Sequence, residues 1–418
     1  MQAEDCWNKD EYIYSKGRYQ KAVRWYASNL SSTQSHDNST PVATDVPKHR
    51  HTSDISVDRA IGLALKKKDG RSHLSHQDHH LLLWNTKNTE YALGANISDL
   101  SMRYWDADER HAFRGDHVLL RQGYSKIVEH ILNKCKEYPS FKSILNFSVG
   151  HVEYSRQSAT LPYPNRKLRN KKCINISDGC RVFSKDGKMS HDFDFIVCAL
   201  PLGVLKDSED FSQTILADKT QSNSESTGKV VFNPPLPIYK RDAINNVGFG
   251  LLDKVYLQFP RPFWRKSGNR EFLSGYPFLG NEQDLFGNAS GFNAHHYMFF
   301  DVGRSLYGTD AQNAPHILLT LISGREAVAS ERMSEKQLVD DVMKTLHTLY
   351  SSVDIPNPIA SKRTKWGSDE FSRGSYTYLP PGSTDQDYHT LQSPCNGHTG
   401  IPRLFWAGNA IFDTLRSK

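Results

Sequence analysis

A chain of 418 residues is long enough for two or three domains, and 38% apolar residues make it globular with room for polar loops or inserts. Lys and Arg outnumber Asp and Glu by 52 to 46, and the resulting +6 does not by itself point to nucleic acid. The six cysteines are scattered with no C-x-x-C pair, which argues against a zinc site or a disulfide framework and fits a reducing compartment.

The first residues are polar and lack an apolar h-region, so no secretory signal is expected. Residues 1–26 read as a short helix, with aromatics from Trp7 to Tyr26 set among charges. From Ala27 to about Ser56 the chain is rich in Ser, Thr, Asn, Asp, His and Pro, a linker composition. Asp58 to Lys67 looks like an amphipathic helix, and a second starts at HQDHH (76–80), whose histidines lack the further ligand spacing of a metal site. Ser125 is placed to cap a helix carrying Ile127, Val128, Ile131, Leu132 and Cys135 at helical spacing.

DFIVCAL (194–200) is a nearly continuous apolar run ending in Pro and Gly, the pattern of a strand buried on both faces. The longest apolar stretch, 193–205, is interrupted by Asp194, Pro201 and Gly203 and falls short of the ~20 residues of a membrane span, so a soluble intracellular protein is expected. KVYLQF (254–259) alternates as a half-buried strand, and HILLTLIS (316–323) reads as a buried one. Ser334 with Gln337 forms a capping box ahead of a helix with Leu338, Val339, Val342, Met343, Leu346 and Leu349. Two polar inserts interrupt this core. Residues 155–172 end in RKLRNKK, which reads as a solvated hairpin or a basic localisation or nucleic-acid patch, and residues 206–230 are Ser- and Thr-rich. Strands and helices alternate in the middle, with strand-rich segments after, which indicates mixed α/β architecture.

Four segments, in order, carry a resemblance. They are LSMRYWDADERHAFRGDHVLLRQGYS (100–125), DFIVCALPLGVLK (194–206), FNPPLPIYKRDAINNVGFGLLDKVYLQFPRPFW (232–264), and KWGSDEFSRGSYTYLPPGS (365–383) with IPRLFWAGN (401–409). Together they resemble the flavin-containing amine oxidase family, most closely its lysine-specific histone demethylase branch, from about Asp78 to Asn409.

The resemblance implies an α/β fold, with an incomplete Rossmann-like FAD-binding domain interleaved with an α+β substrate-binding domain on a mixed sheet. The implied segments are an N-terminal region 1–70, substrate-domain segments 71–113 and 246–364, an FAD-domain segment 114–245, and an aromatic strand region with a C-terminal FAD-domain remnant at 365–418. It also implies oxidation of an amine by FAD, with a methylated histone tail or a polyamine as substrate. A nuclear location and chromatin corepressor partners would follow, with direct nucleic-acid binding left open.

By the same resemblance, Lys254 is the catalytic residue, holding a water against the reactive nitrogen of the flavin; its local sequence alone would read as a solvent-facing strand lysine. Trp366, Phe371 and Tyr376 would line the aromatic channel by the flavin, with Phe371 standing where the family often has Trp, although they also suit a strand-pair core. Val149, Leu200, Pro201, Gly408 and Asn409 would touch the cofactor, and Asn88, Asp106, Asp108 and Glu109 the basic substrate.

The chain departs from the family in two places. No G-x-G-x-x-G is present, since GFGLLD (248–253) lacks the third glycine and leads into a strand. Asn409 stands where the family has Glu, and the residues after it look unrelated. A colourless scaffold that binds no FAD is therefore a third reading, beside a demethylase and a polyamine oxidase.

Overall fold

The computed structural model describes residues 54–66, 76–106, 120, 122–157, 178–208, 229–264, 298–307, 314–350 and 353–408, together with three short strands outside them. Two of those strands form the hairpin β1 (Tyr12–Ser15) and β2 (Arg18–Lys21), where the sequence reading expected a helix. The alternating aromatics of Tyr12, Tyr14 and Tyr19 favour a pleated ribbon over a helical turn. The linker expected at 27–56, and most of both polar inserts, lie outside the described residues.

The chain divides into two interleaved units, one built from residues 1–137 and 252–364 and the other from 138–251 and 365–418. The first unit holds helices α1 (Val57–Lys66), α2 (His76–Leu93) and α3 (Ser125–Lys136). Its sheet comes from β9 (Leu252–Gln258), β10 (Phe272–Leu273), β11 (Phe299–Asp301), β12 (Ile317–Ser323) and β13 (Ala360–Arg363), in the order β10-β11-β12-β9-β13, all antiparallel.

The expected alternation of β9 is present. Val255 and Leu257 are buried on one face while Lys254, Tyr256 and Gln258 are half-buried on the other. Against β12 and β9 packs α7 (Gly324–Glu331), which follows α6 (Val302–Tyr307) in the helix order. Arg363 on β13 donates to the Ser330 and Met333 carbonyls at 2.9 and 2.7 Å. The capping box at Ser334 and Gln337 opens α8 (Glu335–Leu349), whose Leu338, Val342 and Leu346 repeat at i, i+4 and are buried.

On the opposite sheet face, Tyr91 of α2 joins Met298 and Leu321 in a cluster flanked by Leu252, Phe300 and Leu319. A polar network ties α2 to α7. Lys87 Nζ lies 2.6 Å from Glu90 and 3.3 Å from Glu326, and Glu90 also accepts the Ile97 amide at 3.0 Å. Asn96 donates to Glu326 at 3.1 Å and accepts the Arg325 amide at 3.0 Å. Gly324 sits at φ +59°, where a Cβ would lie 2.6 Å from the Asn96 Oδ1, so only glycine fits this close turn.

The second unit contains a four-stranded sheet of β3 (Val149–Gln157), β4 (Asp178–Ser184), β5 (Ser190–Phe193) and β7 (Val231–Asn233), in the order β5-β4-β3-β7 with β3 and β7 parallel. A second sheet joins β6 (Ile196–Cys198), β15 (Cys395–Asn396) and β16 (Pro402–Trp406), with β16 and β6 parallel. A third pairs β8 (Gly248–Gly250) with β14 (Tyr376–Tyr378). Helices α4 (Leu202–Lys206), α5 (Ile238–Asn246) and α9 (Asp385–Gln392) complete the unit, α5 packing on α4 and α9.

Two expectations are corrected here. The strand expected to be buried on both faces, β6, has Val197 at 65% exposure, with Phe195 just before it at 53% and Phe405 of β16 beside Val197. Its other face is covered, since Cys198 and Leu404 are buried, so the continuous apolar run overstated burial. Helix α3 forms where its spacing predicts, yet none of its residues is buried and Tyr124, without a side-chain cap, holds the position expected of Ser125.

Candidate functional site

In the first unit, β9 positions Lys254 by pinning its backbone on both sides. Its N–H donates to Thr364 Oγ1 at 2.9 Å, its carbonyl accepts the Thr364 N–H at 3.0 Å, and Thr364 Oγ1 donates to buried Asp253 at 2.7 Å. Alternation then turns the Lys254 side chain to the face holding Leu252 and Tyr256, opposite Leu321 in register. The side chain is half-buried, and among the described residues its ammonium makes no ion pair or hydrogen bond. An unpaired cation beside the Tyr91–Met298–Leu321 cluster suits a water or a polar reactant better than it suits packing.

Asn88 is half-buried on α2, one turn from Tyr91, so the two share a helix face. Asp106 is half-buried just before the described segment ends, and Asp108 and Glu109 lie outside the described residues.

In the second unit, Trp366 and Phe371 are 41% and 58% exposed. The Trp366 carbonyl accepts the Gly374 N–H at 2.9 Å, closing the loop between them. Lys185 stands 5.7 Å over the Phe371 ring and pairs with Glu370 at 2.7 Å. Tyr376 pairs with Gly250 across β14 and β8, and burial pushes its phenol well above the ordinary range, so it stays a neutral hydroxyl. A Cβ on Gly248 would overlap the Tyr378 ring, which gives the GFG sequence a packing reason unconnected with phosphate.

Val149 opens β3 opposite Ser184, while Leu200 and Pro201 form the turn from β6 into α4; all three are half-buried. At the end of β16, Ala407 donates to the Cys198 carbonyl at 2.9 Å, and exposed Gly408 has φ +121° with open space around it. Asn409 is outside the described residues.

The described residues fit one end of a flavin better than the other. Exposed Trp366 and Phe371 and the open backbone at Gly408 suit a planar ring. The pyrophosphate end needs a Gly-rich strand-to-helix turn with free N–H groups. The turn at Ser323–Gly324 has its Arg325 N–H taken by Asn96 and an acidic Glu326 in the first turn of α7, so it rejects phosphate.

Sequence reasoning missed two lysines in the second unit. Lys240 is fully buried on α5, and the spacing of Leu236, Lys240, Ala243 and Ile244 already put it on the apolar face. Lys206 donates to the Asn245 carbonyl at 3.0 Å, and burial lowers its ammonium from 10.5 to about 8. The folded chain therefore gives up this proton near pH 8 and the unfolded chain near 10.5. Between those values the unfolded state binds more protons, so stability rises with pH across the window. Lys206→Met is expected to raise stability at pH 7 by up to about 1 kcal/mol, after allowance for solvent and the lost hydrogen bond. Thermal melts should show that gain vanishing near pH 10.5; parallel curves for variant and parent from pH 7 upward would remove the assignment.

Residues 56–416 match the family described as flavin containing amine oxidoreductase, and the chain belongs to that family. That family is one of oxidoreductases that act on amines, with a flavin as its cofactor. The curated relatives are more specific. The chain is 28% identical over 341 residues to a possible lysine-specific histone demethylase 1 of Drosophila melanogaster, covering 80% of this chain and 32% of the relative. It is 29% identical over 359 residues to lysine-specific histone demethylase 1 homolog 1 of Oryza sativa subsp. japonica, covering 85% and 34%. The chain thus spans about a third of the length of these curated relatives.

Among solved structures, a triple mutant from a redesign of cofactor binding in putrescine oxidase superposes with a TM-score of 0.54 at 14% identity, covering 85% of this chain and 62% of that one. A cyclohexylamine oxidase from Brevibacterium oxydans gives 0.50 at 15% identity with the same coverage. These two show the fold. Among the described residues no group of His, Cys, Asp and Glu could hold a metal, and no helix is long and apolar enough to cross a membrane.

Proposed function

We propose that this chain carries the substrate-side and flavin-ring machinery of an FAD-dependent oxidase that demethylates methyl-lysine in a basic, histone-like tail. The observation that carries the reading is Lys254, a half-buried residue whose ammonium has no partner among the described residues, its backbone fixed near the start of β9 by Thr364. When bound, FAD would accept a hydride from the C–N carbon, leaving an imine that water hydrolyses to formaldehyde and the shortened amine, with oxygen reduced to hydrogen peroxide.

The chain's own residues act around that chemistry. Lys254 orients a water and offers positive charge where negative charge develops. Exposed Trp366 and Phe371 would offer their ring faces to a cationic substrate, and Tyr376 a neutral hydroxyl beside them in the chain. Gly408, Val149, Leu200 and Pro201 would offer backbone groups to the cofactor. Asn88 and Asp106 would select a basic tail, as opposite charge does at other interfaces. A nuclear location goes with this reading, supported by the histone demethylase names of the curated relatives, and chromatin corepressor partners are proposed with it.

A second reading rests on the absent Gly-rich turn: a demethylase-like scaffold that takes up no FAD. One experiment separates them. Protein supplied with FAD is assayed for peroxide with a dimethyl-lysine tail peptide and with spermine. Turnover of the peptide supports demethylation, turnover of spermine alone makes the chain a polyamine oxidase, and protein that stays colourless without turnover is the scaffold.

A further inference from the structure

Lys240 is a buried cation in the second unit that the proposed chemistry does not use. Its side chain is fully buried, and Nζ meets the carbonyls of Thr390, Leu391 and Ser393 at 2.6, 2.9 and 2.5 Å, with Ser393 Oγ at 3.4 Å. The Trp406 ring centroid lies 4.9 Å away on another side. Three of these acceptors are the last carbonyls of α9 and its C-cap, where the helix presents its negative end. Among the described residues no carboxylate pairs with it. The neighbouring thiols of Cys198 and Cys395 are held protonated, since burial pushes Cys198 to about 11 and Cys395 upward. The ammonium therefore sits in a cage of neutral oxygens and one π face. Burial is the main cause that lowers its ammonium from 10.5 to about 8.

We infer that Lys240 is a positioning residue: its caged ammonium ties the end of α9 to Trp406 and thereby sets the turn Ala407–Gly408 at the end of β16. The geometry gives the reason. Trp406 is the last residue of β16, in register with Cys198 on β6, and the next amide, Ala407, donates to the Cys198 carbonyl. If Trp406 loses its cation, the indole can shift and the turn loses its reference. The importance of that turn for a flavin rests on the reading in the preceding subsection, whereas the cage does not.

The test compares Lys240→Met and Lys240→Ala with the parent by site-resolved amide exchange and melting. In Lys240→Met, exchange at Ala407 should accelerate at least tenfold while Val152 on β3 keeps its protection. In Lys240→Ala, n-propylammonium should restore melting and Ala407 protection, and n-propanol should not. Where flavin binds the parent, Lys240→Met should weaken it. Uniform loss of protection across the unit, or equal rescue by n-propanol, would overturn the positioning role, because either means that only volume was lost. If neither variant folds, mild acylation of the parent decides: Lys240 should stay unmodified after exposed Lys336 has reacted, and early modification would show the cage open. A parent that binds no flavin removes the flavin reading alone, since exchange and rescue still report on the cage.

Discussion

Lys254→Met is expected to slow amine oxidation by on the order of 10²-fold or more while leaving the melting temperature within a degree or two of the parent. Methionine matches the stem of lysine in length and is at home against Leu252 and Tyr256, so packing changes little. Backbone contacts to Thr364 are untouched, because they use the N–H and carbonyl of residue 254. What disappears is a positive charge and, on the proposed reading, the water it would orient. Interactions of that kind contribute when they strengthen as the reaction proceeds, so the loss should fall on kcat more than on KM. The measurement is peroxide formation under saturating peptide, beside a melt of the same sample. A variant that turns over as fast as the parent would leave Lys254 a strand lysine and nothing more.

Lys87→Met is expected to destabilise the first unit by about 3–5 kcal/mol, the range seen when one partner of a buried ion pair is removed. Burial would pull the Lys87 ammonium down, but Glu90 and Glu326 more than offset it and its proton is held above the ordinary range. Its contribution to stability is therefore complete at neutral pH and fades only in strongly alkaline solution. Without it, Glu90, only 4% exposed and already raised by burial, faces Glu326 with nothing between them to balance the charge. In the folded variant Glu90 then holds its proton to a higher pH than in the unfolded chain, so stability falls as pH rises through that range. Urea melts should show a larger deficit at pH 8 than at pH 5. An equal deficit at both would mean that the network contributes through packing alone.

Much of the fold was legible because its signals are local. The capping box of α8, the alternation of β9 and the apolar run of β12 each follow from side-chain periodicity, and the structure returns them. Burial of β6 was less legible, because an apolar run reports what a strand can bury and says nothing of what covers it; Val197 remains open to solvent. Lys254 and the aromatics came from the resemblance and not from periodicity. Lys240 had a visible signal in its helical spacing, but a lysine reads as surface until its carbonyl partners are known, and those lie about 150 residues further along the chain.

The two units alternate along the sequence, and this bears on how the protein can be made. Asn96 reaches Glu326 across 230 positions, β9 waits for β13, and Ile196 finds its parallel partner only at Leu404. Neither body can close while a ribosome is still working through the middle of the message. Residues 1–137 must stay unfinished until 252–364 have emerged, and residues 138–251 until β16 has, a long-range order of assembly that is slow and exposes apolar surface meanwhile. Expression at low temperature with chaperones present should therefore raise the yield of folded material more than any single stabilising substitution.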